Sequence, residues 1–112
     1  MKTESWIING VNVVEPHGKL MGGSDTDDLD SRLTRLLGQG AKRVVLDLGD
    51  TKWINSAGLG VLIHQWNAFH EAGAELRLAN LTKKALDVLV ISRLATVFSC
   101  YDSRDDAIAS RA

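Results

Sequence analysis

The chain has 112 residues, of which 45% are hydrophobic and 24% are charged, and its 13 Lys and Arg nearly balance its 14 Asp and Glu. This length and hydrophobic share predict one globular domain over residues 1–112, and the near-zero net charge argues against binding to nucleic acid or to a membrane surface, because both need a basic face. No apolar run approaches the roughly 20 residues that cross a bilayer, and the N-terminus lacks the apolar stretch of a signal peptide, so we expect a soluble, cytoplasmic protein without direct membrane insertion.

The first elements are predicted to be the two strands of a β-hairpin. Residues 3–8 alternate weakly and lead into Asn9 and Gly10, a pair that supplies the positive φ angles of a type I′ turn. Residues 11–15 form the return strand. Pro16 removes a backbone donor from the ladder, so we expect this strand to lie at a sheet edge or to be bulged there.

The rest of the chain alternates between helical and extended patterns. The predicted helices cover residues 24–37, 56–72, 82–91 and 103 onwards, and the predicted strands cover residues 43–48, 75–79 and 97–101. Ser24 is the expected cap of the first helix. Strands that alternate with helices after an initial hairpin imply an α/β fold with a mixed, largely parallel sheet of about five strands and about four helices.

The segment 55–60, Asn-Ser-Ala-Gly-Leu-Gly, follows a turn and opens the second helix. A serine there can cap backbone N–H groups while its hydroxyl stays at the surface. A catalytic nucleophile elbow would need glycine two residues before Ser56, where this chain has Ile54. His64 and His70 lie inside the helix that Ser56 begins, so neither is placed to act as its base. We therefore expect no enzyme.

The sequence also lacks the common motifs for binding a cofactor or a metal ion. The pair Gly58 and Gly60 lacks the third glycine of a dinucleotide fingerprint, because Ile63 stands at that position, and no Walker A loop occurs. The three histidines show no metal-ligand spacing, and the lone Cys100 cannot form a cysteine-rich site. We predict no cofactor and no metal, and we interpret the three tryptophans as core or edge aromatics.

The segment 44–62 resembles the signature of STAS domains, the family of bacterial anti-sigma-factor antagonists. The likeness covers nearly the whole chain, including residues 18–20 before the first helix. In the family the core pattern is Asp-Ser-Ser-Gly-Leu-Gly or close to it, and its first serine is the phosphoacceptor, which by position is Ser56. Asn55 and Ala57 stand where the family most often has aspartate and a second serine, and Met21 precedes Gly22 where many antagonists carry an acidic residue.

The resemblance implies a protein-binding phospho-switch without catalysis of its own. An anti-sigma factor with a GHKL-type ATPase fold and serine-kinase activity binds the unmodified domain and phosphorylates Ser56, and a PP2C-type phosphatase reverses the change. The predicted partner-binding surface joins two loops to the outer face of the second helix: Met21, Gly22, Gly23, Asn55, Ser56, Ala57, Gly58, Gly60, Val61, His64, Gln65 and Ala68. The alternative is a non-switching STAS scaffold or accessory subunit of a transport or stress-signalling assembly, in which Ser56 is only a helix cap.

Overall fold

The fold is taken from a computed structural model that describes residues 2–91 and 98–109. In chain order its elements are β1 (Lys2–Ile8), β2 (Val11–Leu20), α1 (Gly23–Gly38), β3 (Arg43–Asp47), β4 (Thr51–Ile54), α2 (Ser56–Glu71), β5 (Glu75–Ala79), α3 (Lys83–Ile91), β6 (Ser99–Tyr101) and α4 (Arg104–Ala109). The predicted α/β class is confirmed, with six strands and four helices in the part of the chain that is described. The predicted start of the last strand, Val97, lies outside the described residues.

The six strands form one mixed sheet in the order β1-β2-β3-β5-β6, with β4 beside the second half of β2. Only the β1–β2 pairing is antiparallel among the described pairings; the others are parallel. The central strands are apolar on both faces because both faces are covered. Along β2 and β3, Val14 and Val44 face a larger core that includes leucines of α1, α2 and α3, whereas Val13 and Val45 face a smaller core beneath α4.

The predicted hairpin is confirmed at its turn. Of the two alternatives for the strand at Pro16, the sheet edge is wrong, whereas a bulge or register irregularity does occur, two residues further on between Gly18 and Lys19. Asn9 and Gly10 have φ angles of 52° and 79°, as a type I′ turn requires. Strand β2 is not an edge, because β1 pairs with one side of it while β3 and then β4 pair with the other. Pro16 lies after the three residues that pair with β3 and before the register irregularity at Gly18, where pairing with β4 begins. The donor that Pro16 lacks is therefore missing where β2 passes from one neighbour to the next.

Strand β4 is the element that the sequence analysis missed. Its four residues follow a turn and two of them are exposed, so they lack a clear strand pattern. The buried hydroxyl of Thr51 donates to the carbonyl oxygen of Pro16 at 3.2 Å, and the strand then runs parallel to β2 with Ile54 opposite Leu20. Because both strands end at this pair, the residues that follow them leave the sheet side by side.

The helix starts agree only in part with the predicted caps. The cap of α1 is Gly22, not Ser24, which lies inside the helix; the backbone N–H of Gly22 instead donates to the Thr26 hydroxyl at 2.8 Å. At α3 and α4, whose predicted starts were residues 82 and 103, the hydroxyls of Thr82 and Ser103 accept backbone hydrogen bonds from the residues three positions further on. Ser24 fails because the glycine pair before it already turns the chain into the helix.

Candidate functional site

Ser56 is the first residue of α2 and is exposed, but the residue before it caps the helix. Asn55 has extended backbone angles, and its Oδ1 accepts from the N–H groups of Ala57 at 3.0 Å and Gly58 at 3.1 Å. These are two of the donors that a helix start leaves without intrahelical partners. The expectation that Ser56 is the cap is therefore wrong, and its hydroxyl lies at the surface without a structural duty in capping.

Asn55 also ties this helix start to the segment that follows β2. Its Nδ2 donates to the carbonyl oxygen of Met21 at 3.1 Å, and its backbone N–H donates to the carbonyl oxygen of Leu20 at 3.2 Å. The two predicted loops thus meet, with Gly22 next to the Ala57 side chain. Asparagine can make this bond because its side-chain amide has N–H groups. An aspartate carboxylate at position 55 would have no donor for the Met21 carbonyl oxygen.

Gly58 is buried, and its role differs from the one that the sequence analysis gave it. A Cβ built at this position would lie 2.0 Å from the carbonyl oxygen of Leu20 and 2.8 Å from its carbonyl carbon. The backbone that approaches Gly58 is therefore the chain's own strand β2, not that of a partner. This close approach packs the first turn of α2 directly on the end of the sheet.

Most of the predicted residues on α2 reach the surface, but Gln65 does not. Gly60 and His64 are exposed, and Val61 and Ala68 are half-buried. Gln65 is 1% exposed; its Nε2 donates to the Asp30 carboxylate and to the Thr34 hydroxyl.

Gln65 is therefore part of the contact between α2 and α1, and its assignment to the partner-binding surface is corrected. Its spacing from the buried Leu62 and Phe69, three and four residues away, places it on their stripe of the helix. That spacing signals burial even though the side chain is polar.

The residue that sequence reasoning missed is Trp53. Its interpretation as a core or edge aromatic is right about the edge, because β4 pairs only with β2 among the described strands, but it did not place Trp53 on the candidate surface. The exposed fraction of Trp53 is 45%, close to the 46% of Met21. Trp53 lies on β4 opposite Lys19, and the open grooves beside its ring are also lined by Lys52 and Lys83. Exposed tryptophan is enriched among the residues that dominate protein interfaces, so Trp53 extends the candidate surface away from α2.

The surroundings of Ser56 do not form a nucleophilic site among the described residues. His70 stacks on the Trp66 ring with centroids 4.9 Å apart, and His17 bonds to Asp50. His64 is exposed on α2, two turns beyond the serine. In residues 2–91 and 98–109, no helix combines the length and the apolar character that crossing a membrane requires.

The sheet topology and the exposed serine at a tightly packed helix start together define a small α/β domain. The model of the STAS domain family matches residues 4–107, and the chain belongs to this family.

Known proteins with similar sequences or folds include several antagonists. The chain is 31% identical over 91 residues to BtrV of Bordetella bronchiseptica, whose name assigns it to the anti-sigma factor antagonists, with 81% of this chain and 78% of BtrV covered. A Thermotoga maritima crystal structure, also described as an anti-sigma factor antagonist, superposes with a TM-score of 0.87 at 21% identity, covering 95% of this chain and 91% of the other.

Two further solved structures share the fold at lower identity. Phosphorylated SpoIIAA of Bacillus has a TM-score of 0.75 at 15% identity, with 96% of each chain covered. A sulfate transporter family protein of Wolinella succinogenes has a TM-score of 0.75 at 18% identity, with 93% of this chain and 86% of the other covered. At such identities these likenesses establish the fold alone.

Proposed function

We propose that the chain is an anti-sigma-factor antagonist that works as a phospho-switch. The form with unmodified Ser56 binds a kinase-type anti-sigma factor, and phosphorylation of Ser56 weakens that binding. One observation at the start of α2 carries the proposal. Asn55 makes the capping bonds, so the adjacent Ser56 is exposed and its hydroxyl is accessible to modification. The name of BtrV and the phosphorylated form of SpoIIAA support it.

The local charges allow the free domain to accept a phosphate at Ser56. A phosphoserine carries about −1.5 to −2 charges, and the positive end of a helix dipole favours such a group. Within the described first turn of α2 no acidic residue opposes it. Because Asn55 already occupies the N–H groups of Ala57 and Gly58, the phosphate remains directed toward solvent or a partner.

The same phosphate acts differently in an interface. A dianion buried against a partner loses hydration and repels partner carboxylates unless a basic group meets it. One modification therefore weakens the complex while it leaves the domain folded, which is the behaviour that a switch requires.

The proposed partners are a GHKL-type anti-sigma factor with serine-kinase activity and a PP2C-type phosphatase, and the proposed location is the cytoplasm. The domain itself binds rather than catalyses, and its activity needs no cofactor and no nucleic acid. We call the proposed contact area the Ser56 surface; it comprises Met21, Gly22, Gly23, Trp53, Asn55, Ser56, Ala57, Gly60, Val61, His64 and Ala68.

Phosphosite mapping tests the modification. The tagged chain is purified from cells of its own source, and tryptic peptides are analysed by mass spectrometry beside those of Ser56→Ala and Ser31→Ala. Ser31 is an exposed serine of α1 and serves as the matched control. We expect phosphate on Ser56 in the wild type and in Ser31→Ala, and its loss in Ser56→Ala. Undiminished phosphorylation of the Ser56→Ala protein contradicts the proposal.

A second candidate function is a fixed docking subunit of a transport assembly. The observation that favours it is the likeness to the sulfate transporter family protein. In that role Ser56 carries no phosphate, and a charge placed there leaves partner affinity unchanged. The same phosphosite mapping and the Ser56→Asp affinity measurement described below therefore separate the two functions.

A further inference from the structure

A polar cluster on the β1–β2 hairpin is not used by the proposed function. Glu4 of β1 and Glu15 of β2 are direct cross-strand partners, so their side chains share one face of the sheet. His17 lies two residues beyond Glu15 and therefore on the same face. Two like charges placed directly opposite each other destabilise a strand pair, so this arrangement favours a cation between them.

The side-chain atoms converge on the imidazole. His17 Nε2 lies 3.7 Å from Glu4 Oε2 and 3.8 Å from Glu15 Oε1, and one ligand atom from each residue falls within 4.8 Å of the others. Nε2 is shielded from solvent and has no hydrogen-bond partner among the described residues. The nitrogen thus faces two carboxylates at distances too long for hydrogen bonds.

The other imidazole nitrogen is held by a third carboxylate. His17 Nδ1 bonds to Asp50 Oδ2 from the turn before β4. When Asp50 accepts from Nδ1–H, the lone pair of the neutral ring is at Nε2, directed at Glu4 and Glu15. A carboxylate bonded to the far nitrogen of a ligating histidine is the usual support of such a ligand.

The distances from His17 Nε2 to the two glutamate oxygens are close to those between two ligands of one small ion. Two ligand atoms each about 2.0–2.2 Å from a tetrahedral zinc ion lie about 3.4 Å apart. The distances of 3.7 and 3.8 Å at His17 Nε2 exceed this by a few tenths of an ångström. Arg104 lies 3.4 Å from the other oxygen of Glu15, Oε2, so it leaves Oε1 turned toward the imidazole.

We propose that Glu4, Glu15 and His17 bind one divalent transition-metal ion. A site with one imidazole and two carboxylates suits zinc and its neighbours better than magnesium or calcium, which prefer oxygen ligands alone. The sequence does not indicate this site, because its three ligands come from two strands that only the fold brings together. Because its ligands come from both strands, the ion would link β1 to β2. This inference does not depend on the role of Ser56.

Calorimetric titration with zinc chloride at pH 8 tests the site. Every protein carries Cys100→Ser, because Cys100 is a free, exposed cysteine and thiolates are zinc ligands that would compete with the proposed site. We expect one zinc ion per chain in this background, and a loss of at least about tenfold in affinity in His17→Ala and in Glu4→Gln. The matched control is His70→Gln, an exposed histidine of α2, which keeps the affinity; magnesium chloride gives no binding.

Thermal unfolding supplies a second measurement. A ligand that binds only the folded state raises the melting temperature, so zinc raises it in the parent protein and in His70→Gln but not in Glu4→Gln. Equal zinc affinity in the parent, His17→Ala and Glu4→Gln proteins overturns the proposal, and so does the absence of zinc binding to the parent. If His17→Ala does not fold, the zinc affinity of Glu4→Gln, a substitution on the edge strand β1, tests the proposal by itself. Ser56→Ala leaves zinc binding unchanged, so failure of the switch is detected separately.

Discussion

At the scale of single residues, the start of α2 depends on Asn55. Its side chain makes three hydrogen bonds, two to the helix and one to the Met21 carbonyl oxygen. Ser56, the residue that carries the proposed switch, makes no comparable contact among the described residues. The capping bonds and the proposed phosphorylation site therefore lie at neighbouring positions, so Ser56 can be substituted without loss of the cap.

Replacing Asn55 should therefore cost stability and replacing Ser56 should not. We expect Asn55→Ala to lower the free energy of unfolding by about 1–2 kcal/mol, as loss of a helix cap does. Ser56→Ala, the matched control, should stay within about 0.5 kcal/mol of the wild type, as surface substitutions usually do. Urea unfolding followed by circular dichroism measures both values. A Ser56→Ala loss as large as that of Asn55→Ala would make the serine the true cap.

The two glycines of this helix start differ in the space around them. Gly58→Ala places its methyl group 2.0 Å from the Leu20 carbonyl oxygen, so backbone of β2 or α2 has to move. A Cβ at Gly60 meets nothing within 4 Å. We expect Gly58→Ala to destabilise the domain by at least about 2 kcal/mol, within the range of strained or overpacked sites. Gly60→Ala should stabilise it by about 0.5–1 kcal/mol through helix propensity. Thermal and urea unfolding of the pair provide the measurement, and similar effects of the two changes would contradict the packing described.

At the scale of elements, α1 and α2 are joined by a polar contact within an apolar interface. The Gln65 amide donates to Asp30 and Thr34 from a fully buried position on α2. Helix packing alone leaves the rotation of two apolar stripes loosely specified, and a buried polar contact adds a directional requirement. The same contact keeps the opposite side of α2, with Gly60 and His64, toward solvent.

Gln65→Glu tests this contact through its pH dependence. The substitution places a buried carboxylate beside Asp30, so burial and the like charge raise its folded pKa above the unfolded value. It therefore costs stability at pH 7, by at least about 2 kcal/mol, and the loss shrinks as the pH falls through that folded pKa. Gln65→Leu, the uncharged control, should show no such recovery between pH 7 and pH 5 relative to the wild type. Urea titrations at pH 7 and pH 5 measure the free energy of unfolding of both variants. An equal change with pH in Gln65→Glu and Gln65→Leu would contradict the buried contact.

Sequence alone predicts the long elements well and the junctions poorly. The hairpin, β3 and α2 follow from an Asn-Gly pair, an apolar run and a helical stripe, each a local signal over several residues. Strand β4 has only four residues and no such signal, yet it places Asn55 beside Met21. Which of two adjacent polar residues caps a helix depends on backbone angles, and the meeting of Gly58 with Leu20 depends on tertiary packing.

At the scale of the whole molecule, the strand order of the sheet determines where the candidate site lies. Parallel strands β2 and β4 end at the paired residues Leu20 and Ile54, so the segments that follow them meet at one edge. The helix that starts there packs on the same core as the strands. A charge at Ser56 consequently lies on a helix start that is packed against the sheet, so its effect on binding can be measured separately from its effect on folding.

Ser56→Asp measures both effects. The carboxylate lies at the positive end of α2, where it should be neutral or stabilising by about 0.3–1 kcal/mol in the free domain. Against a partner it loses hydration, so we expect affinity for the proposed kinase-type anti-sigma factor to fall at least about tenfold, roughly 1.4 kcal/mol. Its single charge is smaller than that of phosphoserine, so true phosphorylation should weaken binding further. Thermal unfolding and titration calorimetry with the same partner give the two numbers.

Ser31→Asp adds the same charge to an exposed position of α1 and isolates the effect of place. If net charge alone weakened the complex, both variants would lose affinity equally, because long-range repulsion depends little on position and is screened by salt. A local effect instead leaves Ser31→Asp at wild-type affinity and persists for Ser56→Asp at high ionic strength, since desolvation at a contact is not screened. An intact fold with unchanged affinity in Ser56→Asp would remove the switch and leave a docking domain whose serine only occupies the first turn of a helix.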